Sequence, residues 1–133
     1  MKQYCENALK VANHLKNHEK IDSIRYPALE GDEYYERAKK YLPLGTSGVM
    51  SINIKGGRQA AMKFMDSVKL ACNEVHVADI RTCVLHPASE THRQLTDEQL
   101  VAAGVAPALV RLSVGLENVD DIIADLDQAL AQI

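Results

Sequence analysis

The stretch GVMSINIKGGRQAAMKFMDSV changes its hydrophobic period at a pair of glycines, and that switch limits the folds open to the chain. Before the glycines, Met50, Ile52 and Ile54 alternate with Val49, Ser51 and Asn53, which places the two sets on opposite faces of a strand. After them, Ala61, Phe64, Met65 and Val68 recur at helical spacing. A strand with one apolar face has to be covered on that face, and the helix that follows it is the nearest cover. The alternation returns in LVRLSVG, where Val110, Leu112 and Val114 share one face and Arg111 and Ser113 the other.

The remaining elements fit the same layering. From Lys2 to about His18, the residues Cys5, Ala8, Leu9, Ala12 and Leu15 form one helical stripe. At the other end, Asn118 caps a helix carrying Val119, Ile122, Ile123, Leu126, Ala129 and Leu130. A weaker helix is expected from Asp32, read as its N-cap, through Tyr34, Tyr35 and Ala38 to Tyr41, before Pro43 and Gly45. Thr96 and Gln99 have the spacing of a capping box, so a short helix should run to about Ala103 and close at Gly104. IDSIRYP reads as a strand stopped by Pro27, and NEVHVADIRTCVLHP as one or two strands with Asp79 at the turn. Several junctions are too short for parallel crossovers. About four helices and about four strands therefore predict an α+β fold, with a largely antiparallel sheet covered on one side by helices. No repeat or linker divides residues 1–133, so a single domain is expected.

Composition excludes some partners. The formal charge of −3 arises from acidic and basic residues mixed along the sequence, with no basic stripe for a phosphate backbone, and tryptophan is absent. Nucleic acid is not an expected partner. No apolar run approaches the ~20 residues that span a bilayer, and the N-terminus lacks the apolar core of a secretory signal. The cytoplasm is the expected compartment. Cys5, Cys72 and Cys83 form no C-x-x-C pair, so reduced, buried thiols are expected, with neither a disulfide framework nor a zinc site.

The common self-contained catalytic motifs for phosphate loops, dinucleotides, serine hydrolases and zinc peptidases are absent. Gly56-Gly57-Arg58 opens a helix and has the form of an anion-holding N-terminus, yet two glycines between strand and helix are also what a plain turn requires. His14 and His18 have the four-residue spacing of a metal pair but lie off the apolar stripe with no third ligand near, so solvated histidines are the preferred reading. Arg111 stands out because a planar fork on a stiff strand suits a carboxylate; from pattern alone, pairing with an acidic residue across the sheet is the simpler account. His86-Pro87 ends a strand and takes the chain out of the sheet. Ser89, Thr91 and His92 follow in the loop, where they either line a site or satisfy the turn.

The segment HPASETHRQLTDEQLVAAGVAPALVRLSVGLENVDDIIADLDQAL resembles the C-terminal end of the Cys/Met-metabolism family of pyridoxal-phosphate enzymes, whose pattern runs HPAS-x-TH-x-QL, AGV, RLSVG-[IL]-E and DDIIADL. Upstream, RYPALEGDEYYERAKKYLPLGTSG and IKGGRQAAMKFMDSVKLA are similar to the O-acetylhomoserine sulfhydrylase branch, which makes homocysteine and acetate from O-acetylhomoserine and sulfide. The resemblance implies the smaller, C-terminal domain of a fold-type I enzyme. The large domain, which in this family holds most of the pyridoxal phosphate and its lysine in a serine-rich segment, has no counterpart in these residues. The chain alone is then expected to bind no cofactor, to be inactive, and to have that large domain as its partner.

The resemblance assigns Arg111 to the substrate α-carboxylate and places Thr91 at the edge of the same site. His76 falls where the family has Asn-Val-Gly-Asp or Ser-Leu-Gly, a turn that helps grip the carboxylate. Here the turn reads His76-Val77-Ala78-Asp79, and Glu90 replaces an uncharged residue; both departures bear on which substrate is used. A second reading keeps the same fold as a stand-alone module that binds amino acids or a protein partner without catalysis. On either reading, a surface that a large domain would cover favours self-association.

Overall fold

The computed structural model describes residues 1–133, in which five helices and five strands follow one another. In chain order they are α1 (Lys2–Leu15), β1 (Ile21–Arg25), α2 (Tyr35–Tyr41), β2 (Val49–Ile54), α3 (Gly57–Ser67), β3 (Cys72–Asn73), β4 (Cys83–Leu85), α4 (Asp97–Ala102), β5 (Leu109–Ser113) and α5 (Val119–Leu130). The strands make one sheet in the order β1-β2-β5-β4-β3. All neighbours are antiparallel except β3 and β4, which run parallel.

The period switch at Gly56-Gly57 is the hinge of this arrangement. β2 is half-buried, with Met50, Ile52 and Ile54 inside, and both glycines take positive φ, 98° and 73°, to turn the chain into α3. Positive φ is costly for residues with a side chain and nearly free for glycine. From α3, Ala61, Phe64 and Met65 then fold back on the sheet. α1 contributes Ala8, Val11, Ala12 and Leu15 to the same layer, and α5 contributes Ile122, Leu126, Ala129 and Leu130. These helices cover the face carrying Val84, Val110 and Leu112. Each fully buried leucine, isoleucine or phenylalanine removes enough apolar surface from water to contribute roughly 1.5–3 kcal/mol.

The expected α+β layer is therefore found, with five strands where about four were expected. The extra strand is the two-residue β3, too short to leave a periodic signal. NEVHVADIRTCVLHP forms the expected strand after Asp79, as β4, but before Asp79 only its first residue, Asn73, is paired. Only Cys72–Asn73 and Cys83–Leu85 are paired, and residues 74–82 are irregular. Because β3 and β4 are parallel, the chain must return from one end of the pair to the other. It does so across the face of the sheet that the helices leave open. Val75 and Val77, whose spacing imitates a strand, are exposed on this return together with Ile80.

Three further expectations are adjusted. Asp32 does not cap α2, whose N-cap is Tyr34; its carboxylate instead accepts the backbone N–H groups of Tyr26 at 3.0 Å and Tyr34 at 2.9 Å, holding the turn after β1. α1 stops at Leu15, short of His18. All three cysteines are free thiols, but only Cys83 is buried. The Thr96–Gln99 capping box and the Asn118 cap are both present. No helix is long and apolar enough to cross a membrane.

Candidate carboxylate site

Arg111 lies at the middle of β5, between Ser51 of β2 and Leu85 of β4. Alternation along the strand sends Val110 and Leu112 into the helical layer and turns Arg111 and Ser113 to the open face. The guanidinium makes no ion pair: the acid across the sheet that pattern alone favoured is not there. Instead its Nη2 donates to the carbonyl of Val75 at 2.7 Å and to that of His76 at 3.2 Å. Nη1 makes no hydrogen bond in the chain, and Nε is buried without a partner. An unmet buried donor is uncommon in folded proteins and marks either strain or a missing acceptor.

The return segment is held over this face by few contacts. The Ala78 N–H donates to Ser113 Oγ at 3.1 Å, and Leu116 N–H to the Ile80 carbonyl at 2.8 Å. Ala78 has φ 59°, the left-handed region that costs an alanine and that glycine occupies freely. Arg81 pins the other side, with Nη2 at 3.1 Å from Asp79 Oδ2 and 3.2 Å from Glu74 Oε2. That guanidinium holds the Asp79 carboxyl down at about 2. Gly115 permits the close approach: a Cβ there would collide with the backbone of Ile80 and Arg81. Beyond it, the Glu117 carboxylate accepts from the Thr82 N–H at 2.6 Å, and the Asn7 side-chain amide donates to the Gly115 carbonyl at 3.0 Å.

Of the expected site residues, the structure joins two. His76 reaches Arg111 only through its carbonyl; its imidazole turns outward, with Nδ1 2.7 Å from Glu74 Oε2. Thr91 is exposed in the loop after β4, its hydroxyl 2.9 Å from His92 Nδ1, and no hydrogen bond links it to Arg111 or His76. Glu90 makes no ion pair. The residues that sequence reasoning passed over are Ser113, Gly115, Thr82 and Glu117. Only Ser113 had a visible signal, its place beside Arg111 on one strand face.

The other candidates have ordinary partners. Arg58 donates through Nη1 to the Ala88 carbonyl at 2.8 Å and pairs through Nη2 with Asp97, so Gly56-Gly57-Arg58 is a turn and an anchor for the loop after β4. His14 meets Asp127 at 2.8 Å, whereas His18 accepts from the Lys20 N–H at 3.1 Å, so the pair does not converge. His86 is fully buried between Ser89 and Pro107. Glu74, Asp79 and Cys83 place ligand-type atoms near one another, but the Arg81 guanidinium lies against both carboxylates and supplies the positive charge there.

Residues 1–131 match the family model described as Cys/Met metabolism PLP-dependent enzyme. The chain is 46% identical over 134 residues to an O-acetyl-L-homoserine sulfhydrylase of Leptospira meyeri, a match that covers 100% of this chain and 30% of that protein. It is 44% identical over 133 residues to an L-methionine gamma-lyase of Fusobacterium nucleatum subsp. polymorphum, covering 100% of this chain and 33% of that one. A solved structure of a putative O-acetylhomoserine (thiol)-lyase from Campylobacter jejuni, containing N'-pyridoxyl-lysine-5'-monophosphate, superposes with a TM-score of 0.89 at 40% identity, over 97% of this chain and 31% of that one. The chain thus spans about a third of the length of the relatives it matches.

Proposed function

Since the chain belongs to the Cys/Met-metabolism family of pyridoxal-phosphate-dependent enzymes, we propose that its part in that chemistry is to bind the α-carboxylate of an amino-acid substrate through Arg111. One observation carries the reading. The guanidinium stands on a rigid strand, donates to two carbonyls of the facing turn, pairs with no acid of its own chain, and keeps Nη1 without an acceptor. A carboxylate supplies the missing acceptor and the missing charge together, through bonds about twice as strong as neutral ones. Held at that end, a substrate presents its Cα in one orientation, which is what proton transfer at that carbon needs. His76 would contribute through its backbone, and Thr91 from the edge of the loop.

The residues present do not fit pyridoxal phosphate by themselves. The cofactor needs a lysine in an enclosed site, and every lysine here lies at the surface or half-buried. Gly56-Gly57, the one phosphate-cradle candidate, has its neighbouring arginine committed to Ala88 and Asp97. Pyridoxal phosphate belongs to the parent enzyme. Within the family, the O-acetylhomoserine sulfhydrylase branch that this chain resembles converts O-acetylhomoserine and sulfide into homocysteine and acetate, and we assign the parent enzyme to that reaction. Mixed with cofactor and passed over a sizing column, the chain should emerge without the cofactor's yellow colour. A retained stoichiometric chromophore would overturn the division of labour.

A stand-alone role in binding has its own observation. Tyr41, Leu42 and Leu44, close in sequence at the end of α2 and just after it, are all exposed, Leu44 at 96%. Such a patch is where the remaining two thirds of a relative-length chain, or a second copy, would dock. Sedimentation of the chain across a concentration series separates the cases: self-association that Leu44→Glu weakens supports an interaction surface, and a monomer at all concentrations removes it.

A further inference from the structure

We infer that Ser113 is a positioning residue for the carboxylate site, acting by locking the 75–78 turn over β5 so that the Arg111 guanidinium keeps one arrangement. The inference rests on the carboxylate reading of Arg111 given above and extends it to a residue two positions further along the strand.

On the open sheet face, polar contacts rather than burial hold the 75–78 turn. Val75, Val77 and Ile80 are exposed, so burial contributes little to its placement. Its hydrogen bonds to the open sheet face come from two residues of β5 that share that face, Arg111 through Val75 and His76, and Ser113 through the Ala78 N–H. Ser113 is 1% exposed, so its hydroxyl is not exchanging its partner with water. The bond falls on the residue whose backbone most resists the turn, because Ala78 takes φ 59° without the freedom of glycine. Removing the hydroxyl takes away the hydrogen bond that Ala78 itself makes to the sheet and favours its relaxation to negative φ. The Val75 and His76 carbonyls then move with the turn, and Arg111, which they tether, loses its fixed direction. Arg111 cannot hold the turn and meet a ligand from an unchanged position unless a second residue shares the load.

The test follows the turn and the ligand separately, by NMR on the isotope-labelled full chain. Three forms are compared with the parent: Ser113→Ala, Ala78→Gly, and the two combined. The Ala78 amide should exchange slowly in the parent chain and quickly in Ser113→Ala, and the Arg111 Nε–H resonance should move with it. In the double variant glycine takes the positive φ freely, so the Arg111 resonance should return towards its parent position although the hydroxyl is still missing. O-acetylhomoserine, added as the probe, should bind Ser113→Ala about fivefold more weakly, the equilibrium shift expected from one net hydrogen bond, with most of the loss restored in the double variant. Thermal melting accompanies each form, because lost stability alone would not be rescued at the Arg111 resonance by a glycine. If Ser113→Ala leaves the Ala78 exchange rate and the Arg111 resonance unchanged, the positioning role is wrong whatever binds. If the resonances behave as expected but neither the parent nor any variant responds to the probe, the positioning stands and the carboxylate reading falls.

Discussion

His86 and Pro107 are joined by a hydrogen bond of 2.8 Å, from the imidazole Nε2 to the proline carbonyl, although 21 residues separate them. A carbonyl only accepts, so Nε2 carries the proton and Nδ1 takes the hydroxyl of Ser89 at 2.8 Å. The buried ring therefore closes the excursion that leaves β4 and returns into β5, the strand bearing Arg111.

Replacing that ring tests its structural role. His86→Ala leaves a buried carbonyl without a donor and opens a cavity, and should cost about 2 kcal/mol or more in denaturant unfolding. His86→Gln, which keeps an N–H of similar reach, should recover part of the loss. Equal stability of all three forms would show that the bond does not hold the loop.

Asp125 on α5 predicts a second structural effect. Its buried carboxylate accepts the backbone N–H groups of Lys69 at 2.8 Å, Leu70 at 3.0 Å and Ala71 at 2.9 Å, tying the segment before β3 to the last helix. Asp125→Ala strands these donors and should destabilise the chain by about 3 kcal/mol, with Asp125→Asn intermediate. A shift in the urea midpoint below a few tenths of a kcal/mol equivalent would contradict the assignment.

The ion pair at Asp79 gives a prediction in pH. Hydrogen bonds from Arg81 lower its carboxyl from the ordinary 3.8 to about 2. A depressed folded-state value favours the native turn at pH above about 3.8, and that contribution is lost as pH falls through about 2. Arg81→Met should move the Asp79 titration, followed by carboxyl carbon NMR, up towards the ordinary value. An unmoved midpoint would mean that another group sets it.

Thiol reactivity should separate the cysteines. Burial raises the Cys83 thiol, whereas Cys5 and Cys72 are only partly covered. Since the thiolate is the reactive form, a small alkylating reagent at neutral pH should label Cys72 and Cys5 well before Cys83. Mass spectrometry of the peptides reads this directly, and equal labelling rates would show that Cys83 is reached by solvent.

The layers of the fold were legible because they rest on periodicity: β2, α3, β5 and α5 each carry an unbroken apolar stripe, and Thr96 and Asn118 announce their caps. Residues 74–82 were misread for the same reason. Val75 and Val77 alternate like a strand, but the parallel pairing of β3 and β4 forces a crossover that no local pattern records. Arg111 could be placed on the open face from alternation, while its lack of an acidic partner depends on what the sheet brings beside it. Ser113, Thr82, Glu117 and Gly115 act through contacts about 30 residues or more away in sequence, beyond any spacing rule. Asn7 was hidden by a helical stripe drawn too far round: Leu9, counted inside, is exposed, and Val11 and Asn7 are buried in its place.

The central claim is that Arg111 receives a carboxylate, and the most direct measurement is the Arg111 Nε–H resonance during titration of the chain with O-acetylhomoserine and with a matched amine lacking the carboxyl group. The account predicts a saturable shift with the amino acid, little or none with the amine, and loss of the amino-acid response at the 75–78 amides in Arg111→Lys, where the planar fork is gone. Matching shifts with both compounds, or no shift with either at millimolar concentration, would contradict it.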